Sequence, residues 1–337
     1  MRPEDIARLD APYVLGGDLD FQFDDALGTT IPEIRSLHQD IVGDLDPAHF
    51  GVGWWSPHPG TKRRILISDH LLLCTNSIQR NATEAKLHLL ELVDLWQQRS
   101  TFYSESLESR GVLPRRVRAL DDLPLRLASA HVAGFFRAIV GTLDCLGATI
   151  VGVAALPTRI LTADLASARA AFQSRKLPEA GRAIQMELFT HVENAVERVG
   201  PAGWLKWATD FRNMLVHRAR RMEVLQSQRR ESPILDAVGR SIVRAETTIQ
   251  LPADPGRSEI EVMFHRPNAL VLTEAAQDTL EGVMASTLGF VTEVGGHWSM
   301  CGVGVEHLLT FFLSQRSNGL MVRRQRQQDS KDIAQGA

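Results

Sequence analysis

The sequence predicts a mainly α protein: an antiparallel helical bundle with a small mixed α/β region at its N-terminus and an appended β-hairpin. Three observations point there. Aromatic residues are only 6% of the 337 residues while Leu and Ala abound, a mix that favours helix over β-sandwich. Long stretches from residue 81 onward repeat apolar residues every three or four positions. Two stretches after Pro233 alternate apolar and polar residues instead, as strands do. Hydrophobic residues at 44% and charged residues at 23% sit near the globular norm, so a buried core is expected.

Residues 1–80 form the expected mixed region. The first fifty residues carry eleven Asp or Glu against three Arg. Within them Gly16-Gly-Asp-Leu-Asp-Phe-Gln-Phe-Asp24 alternates, which suits a short strand. Residues 51–75 mix turn signals with a β-branched run and read as strand and loop. A helix is expected over 83–109, stopped by Gly111, and a second long one over 123–156, ended by Pro157. Shorter helices follow at 162–175 and 178–199. Gly200-Pro201 then opens another, over 202–228, with proline at the first turn where its missing N–H costs nothing. These helices make a bundle over 81–228.

The segment 229–270 reads as the hairpin insertion. Its strands are Arg244-Ala-Glu-Thr-Thr-Ile-Gln-Leu251 and Ser258-Glu-Ile-Glu-Val-Met-Phe-His265, joined by the turn sequence Pro252-Ala-Asp-Pro-Gly256. C-terminal helices are expected within 271–314, at 273–294 and 302–314. Residues 315–337, with Arg316, Arg323, Arg324, Arg326 and Lys331, read as a disordered basic tail.

The net charge of -3 argues against a protein that coats nucleic acid indiscriminately, so any RNA contact must be local. Cys74, Cys145 and Cys301 are odd in number and widely spaced, giving neither a disulfide framework nor a zinc pattern. The N-terminal MRPEDIARLDAPYV lacks the apolar core of a secretory signal, and a cytoplasmic location is expected.

The stretch 135–157 is long and apolar enough to span a membrane. Arg137 and Asp144 interrupt it, which favours a buried central helix and no membrane. Gly134, Ala138, Gly141, Cys145, Ala148, Gly152 and Ala155 form a heptad seam of small residues that lets another helix come close. The partner helix could belong to the same chain or to a second copy.

The chemistry concentrates in Trp204-Leu-Lys-Trp-Ala-Thr-Asp-Phe-Arg-Asn-Met-Leu-Val-His-Arg-Ala-Arg-Arg-Met222. At about 100° per residue, Leu205, Ala208, Phe211, Leu215 and Met222 face a core, while Thr209, Asn213, His217, Arg220 and Arg221 form a polar stripe with a basic end. Arg212 lies about 140° round from His217. RNA supplies its own nucleophile, the 2′-hydroxyl. Its cleavage needs a proton carrier, which histidine provides near neutral pH, and a cation for the phosphate, which arginine provides with a bidentate fork. No metal or cofactor is required.

Arg212-Asn213-Met214-Leu215-Val216-His217, preceded by Asp210-Phe211, resembles the signature of the HEPN superfamily of helical endoribonucleases and nucleotide-binding domains. The resemblance covers about 81–228, with the apolar helix 123–156 matching the family's core helix. It implies a HEPN-like antiparallel bundle and a homodimer whose two Arg-x4-His motifs share one cleft. It also implies metal-independent RNA cleavage leaving 2′,3′-cyclic phosphate ends, in a defence, stress or toxin–antitoxin setting with an antitoxin or defence-system partner protein. Arg212 would stabilise the phosphate, Asn213 support it, and His217 move protons, while Arg218, Arg220 and Arg221 bind RNA. One sub-group of the family places a Tyr two residues after the His; this chain has Ala219 there, so that mode of control is not expected. The alternative implied by the same resemblance is a non-catalytic helical module that binds nucleotide, RNA or a partner protein.

Other constellations read as structural. His297, Cys301 and His307 lack a fourth zinc ligand. Trp54-Trp55 before Pro57-His-Pro-Gly60 reads as a loop anchored in the core. Asp18, Asp20, Asp24 and Asp25, and Asp69-His70, read as charges facing solvent rather than a carboxylate site.

Overall fold

The computed structural model describes residues 24–45, 61–110, 123–154, 156, 158–174, 182–217, 224–235, 241–265 and 270–300. The chain is mainly α. Its elements are α1 Pro32–Leu45, α2 Thr61–Arg110, α3 Leu123–Val153, a 3-10 turn Ile160–Thr162, α4 Leu165–Phe172, α5 Arg182–Arg198, α6 Trp204–His217, β1 Val224–Leu235, β2 Ser241–Gln250, α7 Glu259–His265 and α8 Ala276–Met300. The expected strand at 16–24, the Trp54-Trp55 loop, the helix at 302–314 and the tail lie outside the described residues, save for Asp24.

The expected strand and loop at 51–75 is replaced by helix from Thr61 onward. The burial pattern gives the reason. Leu71, Cys74, Ile78, Ala82, Ala85, Leu89, Leu92 and Trp96 are all buried at spacings of three and four. One apolar stripe therefore runs along α2 from Leu71 to Trp96. The β-branched Ile65 and Ile67 lower helix propensity by only roughly a few tenths of a kcal/mol. Each fully buried Leu or Ile contributes about 1.5–3 kcal/mol, which outweighs that cost.

Two compact units make up the chain, one of Met1–Thr30, Gln79–Thr142 and Val196–Phe290, the other of Ile31–Ile78, Leu143–Ala195 and Val291–Ala337. In the first, α2 and α3 pack antiparallel along the small-residue seam. A Cβ added at Gly134 would fall 2.2 Å from the His88 ring, and one at Gly141 2.9 Å from Asn81. Arg137 pairs with Glu84 one turn away. In the second, the same two helices meet at Gly152, where an added Cβ would lie 2.3 Å from the Leu71 side chain, and at Cys145, a neighbour of Cys74. The seam is therefore occupied within the chain. By length and composition α3 could cross a membrane, but 72% of its most apolar window is buried inside the fold, as in a core helix.

The first unit also holds the hairpin, placed differently from expectation. β1 pairs antiparallel with β2 from Val224↔Gln250 to Glu231↔Val243 and again at Leu235↔Ser241. The register breaks between Glu231 and Leu235, where Pro233 cannot donate to the ladder. Helix thus ends by His217 instead of continuing to 228, and strand begins at Val224. The expected second strand is instead α7. Ser258 caps it: Ser258 N donates to Glu261 Oε2 at 2.8 Å, and Glu261 N donates back to Ser258 Oγ at 3.3 Å.

In the second unit α4 begins with a capping box between Asp164 and Ser167. Arg169 grips Glu193 of α5 through two hydrogen bonds, Nε to Oε1 at 2.6 Å and Nη2 to Oε2 at 2.5 Å. Gln185 Nε2 donates to the Ala154 carbonyl at 2.8 Å. His38 of α1 bonds Thr75 of α2 at 2.9 Å.

Candidate functional site

The helix that carries the Arg-x4-His segment is set by the turn before it. Gly203 has φ +83°, a left-handed conformation that glycine adopts without a Cβ clash. Helix therefore begins at Trp204 rather than at Ala202. Trp204 Nε1 donates to the Val196 carbonyl at 2.9 Å, tying this turn to α5.

The apolar face falls where helical spacing puts it. Leu205, Ala208, Phe211 and Leu215 are buried, together with Trp204 and Met214. Phe211 is fully buried and stacks on Phe136 of α3 at 4.2 Å, with 18° between the ring planes. Trp207 packs against both rings, and its Nε1 donates to the Pro252 carbonyl at 3.1 Å. Such aromatic pairs contribute about 0.5–1.5 kcal/mol beyond their buried area. They fix the rotation of α6 about its axis, and so the side on which its polar residues stand.

On the polar stripe Thr209 and Asn213 are half-buried, as is Arg212 beside it. Thr209 Oγ1 donates to the Leu205 carbonyl at 2.9 Å, and Lys206 pairs with Asp210. The Asp210 carboxylate stands against Gly256, where an added Cβ would come within 2.8 Å of Oδ2. His217 is the last residue of α6. Its side chain, with Arg218, Arg220, Arg221 and Met222, lies outside the described residues. Arg212 and Asn213 are therefore the two proposed site residues with described side chains, about 100° apart round the helix.

Sequence reading missed three paired groups, all brought together by packing. His88 of α2 and His131 of α3 meet Nδ1 to Nδ1 at 3.0 Å, so one ring donates and the other accepts. Burial, and then the charge His131 would carry, hold His88 below the usual imidazole value, while Glu84 at 3.7 Å opposes this. His191 of α5 bonds the Glu293 carbonyl through Nε2 at 3.0 Å and stacks on His297 of α8 at 4.0 Å. Burial and the nearness of His191 lower His297, with Glu187 acting the other way. Cys301 and His307, which with His297 lack a fourth zinc ligand, lie outside the described residues. Among the described residues, no group of three or more His, Cys, Asp or Glu is placed to hold a metal ion. The third group, Cys74 with Cys145, has His70 Nε2 at 3.5 Å from the Cys74 sulfur. No local sequence signal announces these pairs, since partners such as 88 and 131 are joined only by antiparallel packing.

Asp24 corrects another expectation. It is buried rather than solvent-facing, in a helical turn at 24–27, and its carboxylate accepts a hydrogen bond from Thr83. Asp25 remains exposed.

Compared with family models, with curated proteins and with solved structures, the chain matches none.

Proposed function

We propose that the chain is a HEPN-type endoribonuclease that cleaves RNA without a metal ion, acting as a homodimer in the cytoplasm, in a defence or stress role with an antitoxin or defence-system partner. The observation that carries this is the setting of Arg212-Asn213-x3-His217: the last turns of a helix docked on the core helix through Phe211 and Phe136. Arg212 and Asn213 are held there on a rigid element, half-exposed beside the helix end.

In this mechanism Arg212 pairs with the non-bridging oxygens of the scissile phosphate and Asn213 helps hold it. His217 takes the 2′-hydroxyl proton as the 2′ oxygen attacks phosphorus. The bond from phosphorus to the 5′ oxygen breaks, and that oxygen takes a proton from His217 of the second copy. The products are a 2′,3′-cyclic phosphate and a free 5′-hydroxyl. Arg212 and His217 stand about 140° apart round the helix, so a site shared between two copies uses both more naturally than one copy alone. Arg218, Arg220 and Arg221 contribute phosphate contacts along the RNA.

The test is cleavage of a defined RNA by the full chain in excess EDTA. Arg212→Ala and His217→Ala should each lower the rate by about 10²–10⁴-fold, with unchanged circular dichroism and oligomeric state. A 2′-deoxy nucleotide at the cleavage position should block the reaction. Cleavage that survives both variants, or that needs Mg²⁺, overturns the mechanism; RNA binding without turnover points instead to a non-catalytic HEPN-like module.

A further inference from the structure

His88 of α2 and His131 of α3 meet inside the first unit, both half-exposed, and RNA cleavage leaves them unused. Their Nδ1 atoms lie 3.0 Å apart, and their ring centres 5.2 Å apart, about one ring's width more. The two nitrogens therefore face each other head on, with room between them for one proton. A metal ion held by both rings would need the two lone pairs to converge on a point to one side instead. On the far side of the His88 ring, Nε2 lies 3.7 Å from Glu84 Oε1, and Glu84 also pairs with Arg137 of α3.

We infer that His88 and His131 form a proton-sharing clasp between α2 and α3, closed while one Nδ1 is bare and opened when acid protonates both rings, so that acidification loosens the helix pair around them. This inference is independent of the RNA-cleavage proposal.

Counting protons gives the clasp its direction. In the neutral pair one ring donates from Nδ1 and the other accepts. Glu84 beside His88 Nε2 favours a proton there, which leaves His88 Nδ1 bare and makes His131 the donor. A first added proton goes to His131 Nε2 and leaves the N–H···N bond in place, now charge-assisted. A second goes to His88 Nδ1. Two N–H groups and two like charges then meet at 3.0 Å, and attraction becomes repulsion. Among the described residues, the charged groups acting on His88 are His131 and Arg137 of α3, which oppose its protonation, and Glu84 of its own helix, which favours it. Burial opposes it most, so His88 takes its proton only below the ordinary value of 6.5. The stability held by the pair is therefore complete above about pH 6.5 and is lost as pH falls through the lowered His88 value.

Packing passes the repulsion on to the helices. The His88 ring covers Gly134 of α3: a Cβ there would fall 2.2 Å from Nε2, 2.5 Å from Cε1 and 2.6 Å from Cδ2. One wall of the ring is thus the α3 backbone, and only 25% of the His88 side chain is exposed. Ala85 and Leu89 beside His88, and Val132 and Phe135 beside His131, are all buried and hold both backbones close to the rings. A packed contact of this kind gives way by separating rather than by bending.

The experiment follows amide hydrogen exchange of the full chain by mass spectrometry at about pH 7.5 and about pH 5, each rate corrected for the intrinsic effect of pH on exchange. Peptides covering His88 and His131 should exchange about tenfold faster at the lower pH. His131→Gln still offers an N–H to His88 Nδ1 and, once that nitrogen is protonated, turns its carbonyl oxygen to accept. It takes up no charge, so its two rates should agree within about twofold. Equal protection of the unaltered chain at the two pH values overturns the proposal. So does the same acid acceleration in His131→Gln, which would trace the effect to burial of His88 alone. Zn²⁺ that protects these peptides at about pH 7.5, and fails to in His131→Gln, would make the pair a metal site and also overturns it. The unaltered chain decides the matter at the two pH values even if the variant fails to fold.

Discussion

Gly147→Ala isolates how closely α3 is approached in the second unit. A Cβ at this position would lie 2.3 Å from Leu165 N, 2.5 Å from the Asp164 carbonyl carbon and 2.5 Å from Leu165 Cα. All three atoms are backbone, so no side chain can swing aside. They belong to the capped start of α4, where Ser167 N donates to Asp164 Oδ1 at 2.7 Å and Asp164 N donates to Ser167 Oγ at 2.8 Å. Relieving the clash must move that turn. The substitution gains about 1 kcal/mol of helix propensity. Overpacking costs about 1–3 kcal/mol, and a disrupted N-cap adds about 1 kcal/mol. A net loss of about 1–3 kcal/mol is expected in urea unfolding. Gly282→Ala is the matched control: Gly282 is exposed on α8 with nothing within 4 Å of the added Cβ. There the propensity gain stands alone, and stability should rise by about 0.5–1 kcal/mol. If Gly147→Ala proves as stable as the unaltered chain, or if both variants shift the same way, the close contact between α3 and the start of α4 is refuted.

Two further outcomes follow from the packing. Phe211→Ala removes a fully buried ring from the stack on Phe136 and should cost about 3–5 kcal/mol by urea unfolding, with Phe211→Leu losing less than half as much; a loss below about 1 kcal/mol for the alanine variant would mean that this cluster does not anchor the candidate site. His38, His88 and His297 all sit below the ordinary imidazole value of 6.5 when folded, chiefly through burial. The unfolded chain therefore takes up protons first on acidification, so the stability these rings contribute is complete above about pH 6.5 and is lost as pH falls through their lowered folded values. Urea midpoints should hold steady from about pH 8 to 7 and drop towards pH 5.5, with a shallower drop in His88→Asn; a midpoint that rises over the same interval would contradict the assignment.

Much of the helical architecture was legible in the residues themselves. Periodicity placed the long apolar helix within a few residues of α3, and proline and glycine signals placed the gap before α6. Helical spacing put Leu205, Ala208, Phe211 and Leu215 on the buried face. It failed where a local pattern had two meanings. Ser258-Glu-Ile-Glu-Val alternates like a strand, yet Ser258 and Glu261 also form a helix cap, and the cap prevailed. In residues 61–75 the local signal of Ile65 and Ile67 is β-like, whereas the stripe through Leu71, Cys74 and Ile78 favours helix only with a neighbour to bury it.

The candidate site divides along the same line. That Arg212, Asn213 and His217 lie in order on one helix follows from their spacing, because helix geometry is set by bonds within a single segment. Which way that helix faces follows from Phe211 meeting Phe136, a contact between residues far apart in the chain. The small-residue seam was visible in the sequence, but its partner was not: only the fold matched Gly134 to His88 and Gly141 to Asn81. The paired histidines are the extreme case. His88 and His131 mean nothing as a pair in sequence, since forty-three positions separate them. They become one only because α2 and α3 run antiparallel at a distance that glycine and alanine allow. Local chemistry determines what each segment is; burial of its apolar face against a distant segment decides what it meets.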